Sequence, residues 1–257
     1  MNTPLLLCDI IDQIGWIKIN RPDKLNALNQ ELLHELHEQL NVYKSDTSVR
    51  IVVITGSGEK AFVAGADITE FIDRDSSEGH RLAFEGEERI FSFIENYNKP
   101  VLAAINGYAL GGGLELALSC HLRVASETAR FGFPEVSLGL IPGYGGTQRL
   151  PNLVGKGRAF EMILSTKLID APTAFQWGLV NSVVAPQDLL EKTADMAGLL
   201  LRQSPAAISR AIIAVNASYT SEADGYKIEK EQFGACFDTA DFKEGVSAFL
   251  EKRKAQF

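Results

Sequence analysis

Residues Val101–Cys120 read VLAAINGYALGGGLELALSC, and the architecture follows outward from them. The first five residues form a short, wholly apolar, β-rich run, the pattern of a strand buried on both faces in a sheet covered by helices. Asn106-Gly107 interrupts that run, and Gly111-Gly112-Gly113 then opens an apolar helix. Three glycines there leave backbone N–H groups unencumbered at a helix amino end, where the dipole favours negative charge. Glu115 falls inside this first turn, and taken alone its carboxylate complements the dipole.

Upstream, residues 5–20 read as a hairpin turning at Asp12-Gln13-Ile14-Gly15, with Trp16–Asn20 alternating between faces. Leu32, Leu33, Leu36 and Leu40 recur at helical spacing behind an Asn29 cap. Arg50–Thr55 holds a second buried strand, and a helix is predicted from about Glu78 to Tyr97, ending at Asn98-Lys99-Pro100. Downstream, residues 106–157 hold eleven of the chain's 22 glycines, so backbone geometry matters there. Beyond Pro186 the pattern is helical over 187–203, 205–217, 221–237 and 241–254. The expected architecture is α/β, with a strand–helix core over residues 1–190 and a helical section over 191–257.

The 257 residues carry 25 Lys and Arg against 33 Asp and Glu, a net charge of −8, and 46% are hydrophobic. This is the composition of a soluble globular chain and argues against a nucleic-acid partner, which calls for a basic patch. No apolar run reaches the roughly 18–20 residues of a membrane helix, and the amino end has no signal-peptide pattern. Cys8, Cys120 and Cys236 are far apart and odd in number, which argues against a disulfide framework or zinc knuckle and for a reducing, cytoplasmic setting. His34-Glu35-Leu36-His37 lacks the second spacer residue of the zinc-protease helix and reads as a solvated surface. No metal site is expected. The glycine loops match neither dinucleotide nor P-loop spacing, and no GxSxG elbow exists.

Two further segments change the weight of Glu115. Ala61–Ile68, AFVAGADI, follows a strand and a glycine-rich turn, so its backbone can approach a ligand. One N–H from it and one from the triple glycine can clamp a single carbonyl oxygen, as in an oxyanion hole. Phe131–Gly146, FGFPEVSLGLIPGYGG, sets Glu135 behind Pro134 among apolar neighbours that desolvate a carboxylate and raise its pKa. Two carboxylates beside such a clamp suit proton transfer and water addition next to a carbonyl.

AFVAGADI, NKPVLAAINGYALGGGLELALS, FGFPEVSLGLIPGYGGTQRLPNLVG and AFQWGLV together resemble the enoyl-CoA hydratase/isomerase (crotonase) superfamily. The resemblance runs from RPDKLNALN to EGVSAFLEKRKAQF. It implies a crotonase-like spiral of ββα units, a C-terminal helical region that builds homotrimers or homohexamers, and an acyl-CoA thioester substrate. Coenzyme A is then part of the substrate, and no further cofactor is implied. The oxyanion donors map to Ala66 and Gly112, and the acid/base pair to Glu115 and Glu135. Ala64, Asp67, Ile68 and Thr69 flank Ala66 in the presumed acyl-CoA contact segment, and Gly143 matches a glycine lining the water and acyl site. Lys24 either sits near the CoA entrance or is a solvated loop lysine. Lys252, Arg253 and Lys254 either reach a neighbouring subunit's CoA phosphate or form a solvated helix end.

With both glutamates present, the resemblance implies water addition to a trans-2-enoyl-CoA, and the bulk of Tyr144 favours a short chain. The alternatives are a Δ3,Δ2-enoyl-CoA isomerase, a hydratase of a branched or functionalised acyl-CoA, or a CoA- or RNA-binding scaffold. Three positions depart from the common pattern. Thr69 replaces a frequent Lys, and one cationic CoA contact is expected to be lost. His121 replaces Asp near a helix carboxyl end, where a positive ring is electrostatically sensible. Tyr144 is bulkier than usual and is expected to narrow the acyl pocket.

Overall fold

In the computed structural model, which describes residues 3–72, 75–219 and 224–257, the strands between residues 51 and 132 alternate between two sheets. The larger sheet orders β1 (Leu6–Ile11), β2 (Ile14–Ile19), β3 (Ile51–Gly56), β5 (Val101–Ile105), β7 (Leu122–Ser126) and β10 (Ser182–Val184). The smaller orders β4 (Ala61–Ala64), β6 (Tyr108–Leu110), β8 (Arg130–Gly132) and β9 (Ile169–Asp170). All pairs are parallel except β1–β2 and β8–β9. The chain therefore steps β3 to β4, β5 to β6 and β7 to β8, each time crossing from one sheet to the other, which is the ββα spiral. β3 and β5 are buried at every residue, as continuous apolar runs in covered parallel strands must be.

The hairpin turns at Asp12 and Gln13, both left-handed with φ of 50° and 66°, which matches the twist of the flanking strands. Helix α1 (Gln30–Ser45) starts where the Asn29 side chain accepts the Leu32 N–H at 3.1 Å, and it buries Leu32, Leu33, Leu36, Leu40 and Tyr43. The stretch predicted as one helix over 78–97 is instead α2 (Ser76–Gly86), a π-helical turn (Glu87–Phe91) and α3 (Ser92–Glu95). The wider turn coincides with a packing demand: Gly86 lies against the Tyr144 ring, and Phe91 stacks on that ring at 4.8 Å between centroids.

Two histidine readings are corrected. His37 is half-buried, with Nδ1 2.7 Å from the Arg89 carbonyl and its ring against Phe93, so it is not on a solvated face. His121 Nδ1 accepts the Val101 N–H at 2.9 Å, and Nε2 lies 3.1 Å from the Glu95 carbonyl. Burial pushes its pKa down to about 4, so the ring is a neutral bridge rather than a charge at a helix end.

The remaining helices are α4 (Gly112–Ser119), α5 (Gly146–Val154), α6 (Lys156–Ser165), α7 (Ala171–Gln176), α8 (Leu189–Leu201), α9 (Pro205–Ala217), α10 (Gly225–Cys236) and α11 (Ala240–Leu250). α8 lays Leu189 and Ala197 on the outer face of the larger sheet, against Ile51, Val53, Leu102, Ala104 and Val124. α9 packs with α10 and α11. Positions 221–223 of the predicted third C-terminal helix lie outside the described residues, and the Asp224 side chain caps α10. Among the described residues no helix is long and apolar enough to cross a membrane.

Candidate active site

β4, β6 and β8 are parallel neighbours, and the chain leaves their carboxyl ends carrying Ala66, then Gly112 and Glu115, then Glu135. Residues far apart in sequence thereby converge in the crevice beyond the strand ends, the usual place for a site in such sheets. Ala66 forms a lone parallel bridge with Leu28: the Leu28 N–H donates to the Gly65 carbonyl at 2.9 Å, and the Asp67 N–H to the Leu28 carbonyl at 2.7 Å. In this pattern Leu28 bonds the residues flanking Ala66, so the Ala66 N–H points away from it. Gly112 is the first residue of α4, so its N–H has no partner within the helix. The two segments meet at Leu28, whose Cδ1 would lie 3.5 Å from a Cβ added at Gly112.

Glu115 is 1% exposed, and its Oε1 accepts both the Tyr144 N–H and the Gly146 N–H at 2.8 Å. Burial pushes its pKa up to about 7 in spite of those two donors, with the Glu135 charge adding to the rise and Arg149 opposing it. Glu135 heads a 3-10 turn (Glu135–Leu138) and lies over Gly111, where a Cβ would meet its Oε1 at 2.5 Å. Gly111 also has φ of 49° and ψ of −124°, so a side chain there would be strained and would displace the Glu135 carboxyl. Glu135 Oε2 is buried and has no hydrogen-bond partner among the described residues, and desolvation raises this pKa too. Two carboxyls with raised pKa values thus flank the first turn of α4, a pairing suited to giving and taking protons near neutral pH.

The Glu115 shift has a consequence for stability. A folded-state pKa of about 7 against an ordinary 4.5 means that the folded chain binds this proton more tightly than the unfolded chain. Its contribution is therefore most favourable below the unfolded value and declines as pH rises through about 7. Glu115→Gln keeps an acceptor for the two N–H groups and removes the charge. We expect it to stabilise the fold by roughly 1–3 kcal/mol at pH 8 and by much less at pH 5. Thermal melts at the two pH values measure this, and equal shifts at both would contradict it.

The other expected site residues are more dispersed. Ala64 ends β4, half-buried. Asp67 is committed within the chain: it ion-pairs with Arg21 at 3.1 Å and accepts the Thr69 hydroxyl at 2.7 Å, and these bonds hold its carboxyl below the usual range. Ile68, Thr69, Lys24 and Gly143 are exposed, Lys24 closing a 3-10 turn. Arg253 is paired with Glu244 and Glu251, at 2.6 Å each, rather than left free. A largely apolar cavity of about 400 Å³ lies elsewhere, between α5 and α9, with His121, Leu153 and Ile212 in its wall. Among the described residues no group of three His, Cys, Asp or Glu is placed to hold a metal ion.

Several contributors escaped the sequence reading. The N–H groups of Tyr144 and Gly146 belong to a loop noted for its glycines and for the bulk of Tyr144 but not for backbone donors, and Arg149, one turn into α5, was not singled out. Arg21 and the fully buried Asn26 brace the segment before Leu28, Asn26 Nδ2 donating to the Ala61 carbonyl at 2.8 Å. An Asn set between Leu25 and Ala27-Leu28 was the available signal.

Residues 9–257 match the family described as enoyl-CoA hydratase/isomerase. The crotonyl-CoA hydratase of Syntrophomonas wolfei is 44% identical over 96% of this chain and 95% of that relative. The short-chain-enoyl-CoA hydratase of Clostridium acetobutylicum is 43% identical over 95% and 94%. Among solved structures, enoyl-CoA hydratase from Bacillus anthracis superposes with a TM-score of 0.92 at 37% identity, covering 99% of each chain.

Proposed function

The chain belongs to the enoyl-CoA hydratase/isomerase family, and from that premise we propose that it hydrates short-chain trans-2-enoyl-CoA thioesters reversibly to 3-hydroxyacyl-CoA. The observation that carries this reading is the pairing of buried Glu115 with half-buried Glu135, both with raised pKa values, flanking the first turn of α4 beside the backbone of Ala66 and Gly112. The names of the two relatives support the short chain.

In the proposed mechanism the thioester oxygen sits between the Ala66 and Gly112 N–H groups, which stabilise the enolate as charge moves onto that oxygen. Water held between ionised Glu115 and protonated Glu135 attacks Cβ, and Glu115 takes its proton. The π electrons pass to the thioester as an enolate, Glu135 delivers its proton to Cα, and the proton on Glu115 then passes to Glu135 to restore the pair. The products contain the atoms of enoyl-CoA plus one water, and no electrons are gained or lost. Oε1 of Glu115 is occupied by two N–H donors, which leaves Oε2 to meet the water. Ala64 and Asp67–Thr69 line the acyl-CoA path, Gly143 lies by the water and acyl site, and Lys24 stands at the CoA entrance. The exposed apolar side chains Tyr226, Phe233, Phe249 and Leu250 on α10 and α11 favour assembly into trimers or hexamers.

Loss of the conjugated-thioester absorbance of crotonyl-CoA tests the function directly. Rapid loss is expected; thioester binding without hydration would overturn the reading and direct attention to isomerase substrates. Chain length tests Tyr144. Its ring is held between Phe91 and Gly112, and truncating it opens the space beside the oxyanion donors. Tyr144→Ala is expected to raise kcat/KM for octenoyl-CoA relative to crotonyl-CoA by about tenfold. An unchanged ratio would remove Tyr144 from chain-length selection.

A further inference from the structure

Arg149 is 8% exposed, and each nitrogen of its guanidinium donates a hydrogen bond. Nη1 donates to the Tyr144 carbonyl at 2.9 Å. Nη2 donates to Glu87 Oε1 at 2.9 Å, Glu95 Oε2 at 2.8 Å and the Ser92 hydroxyl at 3.2 Å, and Nε also donates to Glu95 at 3.1 Å. The Ser92 hydroxyl in turn donates to Glu87 at 2.6 Å. A planar fork of this kind fixes direction as well as charge. It ties the π-helical turn and α3 to the loop before α5.

That loop is the one that holds Glu115. The Tyr144 carbonyl bonded by Arg149 lies between the two N–H groups, of Tyr144 and Gly146, that converge on Glu115 Oε1. Gly145 between them has φ of 94°, a conformation glycine adopts freely and therefore holds weakly by itself. The same segment grips the residue a second time, through Phe91 stacked on the Tyr144 ring with planes 13° apart.

We propose that Arg149 is a positioning residue for Glu115: by holding the Tyr144 carbonyl it fixes the two backbone N–H groups that aim the Glu115 carboxylate. The role rests on Glu115 acting as the base of the hydration read above. The charged groups acting on Glu115 are Glu135, from the 3-10 turn after β8, and Arg149 itself, from α5. Loosening the loop withdraws two donors from the carboxylate and loss of Arg149 withdraws a positive charge, so both changes raise its affinity for a proton.

The test uses Arg149→Met and Arg149→Lys in the full chain. Lysine keeps the charge and the fold but cannot reach the Tyr144 carbonyl and both carboxylates together. With crotonyl-CoA, kcat is expected to fall about 10²-fold for Met and about tenfold for Lys, with KM within about threefold. The acidic limb of the kcat profile is expected to move to higher pH. In the Glu115→Gln background, Arg149→Lys should cost no further activity, because its effect passes through the missing carboxylate. A loss that multiplies in that background, or a fall in kcat with the acidic limb unmoved, overturns the proposal. If Met does not fold, Lys carries the same comparisons. Wild-type hydration and its collapse in Glu115→Gln are measured first. If the wild type does not hydrate crotonyl-CoA, the function reading fails by itself. Titration of the Glu115 carboxyl by ¹³C NMR, assigned by its loss in Glu115→Gln, then decides the Arg149 role: an upward midpoint in Arg149→Lys supports it, and an unchanged one overturns it.

Discussion

Glu115→Gln and Glu135→Gln are each expected to slow crotonyl-CoA hydration by about 10²–10⁴-fold while changing KM far less. The substitutions are nearly isosteric, and the Gln carbonyl at 115 can still accept the Tyr144 and Gly146 N–H groups that now hold Oε1. A large loss therefore reports missing proton transfer rather than a collapsed loop. The two positions serve one water and one enolate, so the double variant should fall little below the poorer single variant. Hydration within tenfold of wild type in either variant would remove that carboxyl from the proposed chemistry.

The second large effect concerns the proposed oxyanion donors. Gly112→Pro removes one N–H at the first position of α4, where proline is tolerated by a helix. The expected loss in kcat is at least about 10²–10³-fold with the fold retained, as circular dichroism would show. Gly112→Ala is the companion. A Cβ at this position meets Leu28 Cδ1 and Tyr144 Cδ2 at 3.5 Å, ordinary contact distances, and the N–H remains. Alanine should therefore keep activity within about tenfold. Equal activities for the two variants would mean that the Gly112 N–H does not hold the thioester oxygen.

Much of this architecture is local in origin. Apolar runs at 51–54 and 101–105 specify strands buried on both faces, and the leucines of α1 specify one helical face. The triple glycine opens a helix because the backbone of Gly111, φ 49° with ψ −124°, suits glycine and leaves room for Glu135 above it. Such features depend on sterics and side-chain periodicity over a few residues, and they are legible wherever the chain is read.

The remainder depends on contacts between distant segments. The π-helical turn answers a ring, Tyr144, that arrives from another part of the chain. His121 would be a favourable cation at an exposed helix end, yet the Val101 and Glu95 backbone groups fix it as a buried neutral bridge. Asp67 sits in a segment read as ligand-facing, but Arg21, 46 residues away, engages its carboxylate. Glu115 meets its donors 29 and 31 residues on, and Arg149 reaches back 54 and 62 residues to Glu95 and Glu87. Residue order was sufficient for the amino-terminal hairpin, the strands at 51–54 and 101–105, α1, the glycine turns and the segments that bear the candidate site. Which oxygen is held, how deeply Glu115 is buried and which arginine braces the loop were set by folding, because hydrogen bonds and desolvation act through a few ångströms of space irrespective of separation along the chain.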